Sequence, residues 1–426
     1  MRPSSLLPTL LVVAFGAATA RDPLPPPGEW VSRSYGYHLS ATPDGYVVYD
    51  VLGDACTRRR DEKPLFDRFA RDDADTLHLR AGMAHEPYDY LFERVSARCH
   101  VDDSADPIHN MSALRTFFAQ HYAFDMERGV PARTSHDDAA TPLDGRNVHA
   151  FLARYHDAHV AFSGVLDGKE TELESDPGPL NDLSSRVGAP FLKTYWSRHV
   201  AEDILGGNGT FAAQRRIQSG IVDGDIGYVA LVSMGGYAGA DDADDLAALD
   251  AALVDMARRF RAARVRGVIV DLSANSGGYD HLARRLAGQF TGGHVRLYCK
   301  QVRTPPSPRQ CLWSEPARGS LDVPVAVLTS RLTVSAAEVA VLALRAQGAM
   351  QMGEPTRGAL SDALVKYLPG GASITLSNEV YTDSDGIAWE AHGIPPQLAL
   401  ANLDAPDPLA AHAALVHAAA IRLRAR

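Results

Sequence analysis

Excess positive charge is missing from this sequence: 42 Lys and Arg residues face 52 Asp and Glu, for a formal net charge of -10. A nucleic-acid partner therefore has no basic footprint to bind. Long apolar runs are also missing after the first stretch of the chain, so nothing in the remainder is long enough to span a bilayer. Cysteine is scarce, with four residues, and none stands in the setting of a reactive thiolate. Metal-ligand spacings are absent too. The aspartate run from Asp241 to Asp245 lacks the regular spacing and central glycine of a calcium loop and reads as a solvated helix start. His156 and His159 stand at i, i+3 with no third ligand at a recognisable spacing. No metal and no organic cofactor is implied.

What is present begins with a leader. Arg2 supplies a charged start, an apolar core follows from Leu6, and Ala18-Thr19-Ala20 offers a small-residue cleavage site. Residues 1–20 read as a secretory signal peptide, with a mature chain from Arg21 that is secreted or periplasmic and has no membrane span. An oxidising compartment favours disulfides. Cys56 with Cys99 and Cys299 with Cys311 is the suggested pairing, one of three connectivities, and four free buried thiols is the alternative. Asn110-Met111-Ser112 and Asn208-Gly209-Thr210 are glycosylation sequons if the source has that machinery.

Along the chain, residues 21–103 read as a β-rich N-terminal module, with a hairpin expected over His38–Leu52 around Pro43-Asp44-Gly45. Residues 104–215 turn helical. Leu114, Phe117, Phe118 and Tyr122 share one face of a helix expected over Met111–Phe124. Phe151, Leu152 and Tyr155 do so on a second, over Val148–His159, and a third is expected near Pro190–Ile204. Residues 216–426 alternate strand and helix, which predicts helices layered on a sheet and an α/β fold class.

Val323 to Leu328 is an apolar strand pattern, and Ser335-Ala336-Ala337-Glu338 opens an amphipathic helix that runs to about Gln347. Ser-x-x-Glu is by itself a capping box. The same serine at a helix N-terminus is also placed to attack a carbonyl, with backbone N–H groups ready for an oxyanion. Gly277-Gly278, between the strand Gly267–Asp271 and another helical pattern, lets backbone N–H groups approach a ligand. Near the C-terminus Glu390 precedes His392-Gly393-Ile394-Pro395.

These segments, together with Ile226–Met234 and Gly353–Gly358, resemble in their order the tail-specific, or C-terminal processing, serine peptidases. The resemblance implies a crotonase-like or ClpP-like layered catalytic domain over 216–426. The processing branch uses a lysine just beyond a Thr-x-Gly; here that place reads Thr356-Arg357-Gly358-Ala359-Leu360, without one. The tricorn-like branch uses an upstream histidine, and Asp157-Ala158-His159 is similar to its motif. What the resemblance implies is Ser335 as nucleophile, His159 as general base, Glu390 as its electrostatic support, and the N–H groups of Ala336 and of Gly277 or Gly278 as the oxyanion hole.

Departures from the family pattern are Ala158, where a hydroxyl is usual, Ser273 in place of arginine and Gln397 in place of aspartate. Lys366 is the alternative base; its ordinary reading is an exposed strand lysine. The stretch from Gly164 to Asp223 is too short for the peptide-binding PDZ module that many relatives carry. The expected activity is peptide-bond hydrolysis on a peptide or unfolded protein. The alternative is an inactive peptidase scaffold that binds an apolar ligand or peptide.

Overall fold

The strands of the second half are apolar at nearly every position because both faces of their sheet are covered. The computed structural model describes residues 24–61, 65–71, 74–81, 90–130, 140–176, 183, 186–239, 242–303 and 305–426. The expected leader lies outside the described residues. Seven strands form the central sheet in the order Thr210–Ala212, Ile217–Val222, Ile226–Leu231, Gly267–Asp271, Val325–Thr329, Met350–Gly353 and Leu398–Ala399. The first two joins are antiparallel and the rest parallel.

Successive side chains go to opposite faces of a strand. Val229, Leu231, Val268, Val270 and Val327 pack on one side with the helices Asp242–Ala263, Asp280–Gly288 and Ala336–Ala346. Tyr228, Ala230, Ile269, Ala326 and Leu328 pack on the other with Tyr195, Val200 and the C-terminal helix Pro408–Arg424. This is the layered α/β arrangement that the sequence leads one to expect.

The helix expected near Pro190–Ile204 forms as an α-helical turn, Ala189–Thr194, continued by a π-helix, Tyr195–Ile204. Its inward groups reach a buried carboxylate. Tyr195 donates to Asp271 Oδ2 at 3.1 Å, His412 Nε2 lies 2.8 Å from the same oxygen, and His199 Nε2 lies 3.0 Å from His412 Nδ1. The π-helix, the central sheet and the C-terminal helix are thereby tied together at one point.

The N-terminal module is an eight-stranded sheet between Gly28 and Val101. Its hairpin pairs Tyr37–Thr42 with Gly45–Leu52 around the expected turn. Cys56 is bonded to Cys99. Cys299 is bonded to Cys311 across directly paired positions of two antiparallel strands.

Among its described residues, the segment 104–215 packs into cores shared with its neighbours. Leu114, Phe117 and Phe118 from the helix Pro107–His121, with Phe151 and Leu152 from the helix Gly145–Leu152, pack with Trp30, Tyr37 and Leu39 of the first sheet and with Ile374 and Leu376 of the last domain. Its hairpin, Ala161–Leu166 with Lys169–Glu174, adds to the strand Ser373–Ser377. The second helix ends earlier than its apolar pattern suggests. Tyr155 is buried after a turn rather than along the helix, and His156 takes a left-handed φ of 50°. His159 consequently sits in a loop.

Three surface expectations are corrected by burial. Asp245 is not a solvated helix start: its carboxylate accepts the backbone N–H groups of Gly236, Tyr237 and Ala238 at 2.6–2.8 Å. Asn110, in a sequon, is buried and uses its amide on Ser104 O, Asp106 O and Gly370 N. Lys366 is fully buried because the N-terminal sheet covers its strand. Its ammonium donates to Tyr35 O at 2.6 Å, Gly36 O at 2.9 Å and Asp50 Oδ1 at 3.0 Å. Burial pulls its pKa down, to about 8, while Asp50 opposes the fall.

Removing one partner of a buried ion pair costs about 3 kcal/mol, because the other charge is left short of a counter-ion. Lys366→Met should therefore lower the thermal midpoint of the full chain by several degrees. A midpoint equal to wild type would show that Asp50 is satisfied by Arg59 alone, which also donates to it at 2.8 Å.

Candidate active site

Parallel sheets bind ligands beyond the carboxyl ends of their strands, and here four such ends converge. The loop after Gly267–Asp271 carries Gly277-Gly278, and the loop after Val325–Thr329 carries Ser335. Met234, just beyond the strand Ile226–Leu231, holds the glycines: its N–H donates to Gly277 O and its carbonyl accepts from Tyr279, both at 2.7 Å. Thr333 Oγ1 donates to Leu272 O and Ser330 Oγ to Ser273 O, which joins the serine loop to the glycine loop. The fourth end is the segment Glu354–Leu360, after the strand Met350–Gly353.

Both glycines are required by sterics. A Cβ on Gly277 would stand 2.7 Å from Ser335 Cβ, and one on Gly278 would stand 2.0 Å from Met234 O. Their φ angles of 81° and 140° are also ones that side-chain-bearing residues avoid. Gly277 already donates its N–H to Asn275 Oδ1 at 2.9 Å. That leaves Gly278, of the two, with its N–H uncommitted.

Ser335 starts the helix Ala336–Ala346 with one half of a capping box: Glu338 accepts the Ser335 backbone N–H, while the Ser335 hydroxyl makes no cap hydrogen bond. The Ser335 backbone is also unlike that of a simple cap. N-caps adopt extended φ/ψ, whereas Ser335 has φ 58° and ψ -129°. A serine held in a strained turn between strand and helix is raised out of the surface, which is how a nucleophile is presented.

Glu338 sustains this turn. Its buried carboxylate accepts from Ser335 N at 3.2 Å, Ala359 N at 2.9 Å, Gly358 N at 2.8 Å and Thr356 Oγ1 at 2.6 Å. Burial raises its pKa, and these donors act against that. Ser335 N also donates to Ala359 O at 3.0 Å, so Thr356–Ala359 is fastened alongside the serine.

The same segment receives the upstream half of the site. Arg128 donates to Gly358 O at 2.8 Å, to His156 O at 2.6 Å and to Glu390 Oε1 at 2.5 Å, and its Nε lies 3.2 Å from Asp157 Oδ2. Asp157 accepts Tyr122 O–H and the backbone N–H of His159, each at 2.9 Å. Burial works against the Asp157 carboxylate, but Arg128 and His159 hold its pKa below the usual range. His159 is half-buried, and its Nδ1 is enclosed without a hydrogen-bond partner. Burial lowers its pKa; Asp157 opposes this, while Arg128 and Arg357 add to it.

Ser335, Gly277, Gly278 and Ala336 thus form one cluster, and His159 and Glu390 meet it through Arg128. The Ser335 hydroxyl and the His159 imidazole make no hydrogen bond to each other. Glu390 makes no hydrogen bond to the imidazole. Its second oxygen accepts from Leu360 N at 2.8 Å and Ser361 N at 3.0 Å, and its first is held by Arg128. Burial pushes the Glu390 carboxyl up, to about 8, against the pull of Arg128. Lys366 lies away from this cluster, with its ammonium spent on the N-terminal module.

Sequence reading passed over three residues. Glu338 was visible only as half of a capping box. Arg128 belongs to no motif, standing in the turn after the helix Pro107–His121. Arg357 was noticed only as the place where a lysine is missing.

A methyl group on Gly277 must displace the serine loop. Misplacing a reacting group by about 1 Å can cost on the order of 100-fold in rate. Gly277→Ala should therefore slow labelling of Ser335 by a serine-directed phosphonate by about that factor without loss of secondary structure by circular dichroism. Labelling at the wild-type rate would mean that the contact is not part of a reactive site.

Residues 225–400 match the model of peptidase family S41. Among solved structures, a protein from Parabacteroides merdae ATCC 43184 described as a candidate peptidase is 20% identical, over 75% of this chain and 97% of its own, with a TM-score of 0.55. A lipoprotein from Streptococcus agalactiae is 14% identical over 75% of this chain and 96% of its own, with a TM-score of 0.44. Mature CPAF complexed with lactacystin is 14% identical over 60% of this chain and 65% of its own, with a TM-score of 0.42. No curated protein matches the sequence. The chain carries, over residues 225–400, a domain of peptidase family S41, a family of serine peptidases.

Proposed function

We propose that the chain is an exported serine peptidase that cleaves peptide bonds through an acyl-enzyme on Ser335. The observation that carries this reading is the strained Ser335 turn, pressed against Gly277 and fastened to a segment that also receives the His159 loop. The nucleophile comes from residues 216–426 and the base from 104–215.

Ser335 Oγ attacks the peptide carbonyl and His159 takes its proton. The N–H groups of Gly278 and Ala336 donate to the oxygen as it gains charge. The imidazolium then protonates the leaving amine, and a water, deprotonated by the same ring, releases the acyl group from Ser335. Unliganded sites hold such partners further apart than they stand during reaction, so the hydroxyl and imidazole close on each other with substrate present. Glu390 supports the base at one remove: it anchors Arg128, Arg128 anchors Asp157, and Asp157 holds the His159 backbone.

Export is supported by the leader pattern at 1–20 and by two disulfides. Among the described residues, no helix is long and apolar enough to cross a membrane.

Ser335→Ala should abolish both phosphonate labelling and hydrolysis of an unfolded protein substrate. Equal labelling of wild type and variant would remove Ser335 as the nucleophile. A general base must be unprotonated to act, so a lowered pKa keeps it working at lower pH. The acid limb of kcat/KM should accordingly fall below 6.5, the ordinary histidine value. A limb at or above that value would exclude His159 in its present surroundings as the titrating group.

A further inference from the structure

Arg357 stands beside the proposed chemistry with its charge unspent. Its backbone N–H donates to Thr333 O at 2.9 Å, two residues before Ser335, and Ala359, two residues after it, accepts the N–H of Ser335. The neighbouring Thr356 is fully buried and turned to Glu338, whereas Arg357 is half-buried. Among the described residues its guanidinium makes no hydrogen bond and no ion pair, unlike the other arginines of this region. Arg128 is held by Glu390, Asp157 and two carbonyls, and Arg331 donates to Thr356 O and His392 O.

Three carboxylates are close enough to act on Arg357: Glu338, Glu174 and Asp157. None pairs with it. Glu338 serves four donors, Asp157 serves Arg128, Tyr122 and the His159 backbone, and Glu174 is exposed on the edge strand Lys169–Glu174. A half-buried guanidinium without an anion bears a desolvation cost that a carboxylate ligand would offset. Guanidinium also suits that ligand better than ammonium, because its fork matches both oxygens.

We propose that Arg357 is a substrate-recognition residue that binds a carboxylate of the peptide next to the scissile bond. The carboxylate belongs either to an acidic side chain or to the free end of the chain. This rests on the reading of Ser335 and His159 as a peptidase pair and adds to it a class of preferred substrate.

The test uses the full chain and two matched pairs of internally quenched peptides. One pair carries Glu or Gln close to the cleaved bond; the other ends near that bond in a free carboxylate or its amide. The wild-type ratio of kcat/KM, carboxylate over neutral partner, should be about 10 to 100 in at least one pair, the range of a charge-assisted hydrogen bond. The pair that shows it identifies the source of the carboxylate. In Arg357→Gln the ratio should collapse toward one whatever the absolute rate, with KM carrying most of the change, and Arg357→Lys should keep an intermediate ratio. Phosphonate titration of the active fraction corrects for any misfolded variant. Wild-type ratios near one in both pairs, or ratios unchanged in Arg357→Gln, would overturn the proposal while labelling of Ser335 left the peptidase reading standing. Absence of any Ser335 labelling in wild type would overturn both.

Discussion

One buried carboxylate organises the site. Glu338 sits on the first turn of the serine helix with four donors on its two oxygens, and three of them come from Thr356, Gly358 and Ala359. Its fourth donor is Ser335 itself. A charge taken out of water must be met by hydrogen bonds, so the segment beyond the strand Met350–Gly353 is drawn against the nucleophile. The strained backbone of Ser335 persists because its surroundings over-determine it: Glu338 on one side, Gly277 on the other, and Ala359 O beneath its N–H.

Arg128 extends this constraint to the other half of the molecule. It bridges Gly358 O, Glu390, Asp157 and His156 O, residues from three distant parts of the chain. The His159 loop therefore has a defined position although it belongs to no helix or strand. The shared core of the N-terminal sheet, the helices near 107–152 and the strand Ser373–Ser377 holds Arg128 in place. Lys366 closes that junction from the other side, with its ammonium buried under the first sheet. The N-terminal module thus has a structural bearing on the base although it contributes no reacting group.

Local signals were legible where chemistry is local. The Asp44-Gly45 turn fixed the first hairpin, the paired glycines marked the loop against Ser335, and the alternation of apolar strand and amphipathic helix foretold a sheet covered on both faces. Illegible were the side chains whose roles depend on what lies across from them. Lys366 reads as exposed in a strand pattern because the sheet that covers it is some three hundred residues earlier in the chain. Asp245 reads as solvated because its donors are the backbone N–H groups of a loop, which have no sequence signature. The second helix reads as running to His159 because apolar periodicity does not register a left-handed residue at His156.

The sequence alone determined the strand and helix order of the last domain and the glycines beside the serine, since each follows from spacing and residue type within a short window. Tertiary structure alone decided that Gly277 N–H goes to Asn275, that Glu390 is hydrogen-bonded to Arg128, and that Arg357 is fastened by its backbone to the serine loop. Those are questions of which donor meets which acceptor across long sequence separations, and packing settles them through the cost of leaving a buried polar group unmet.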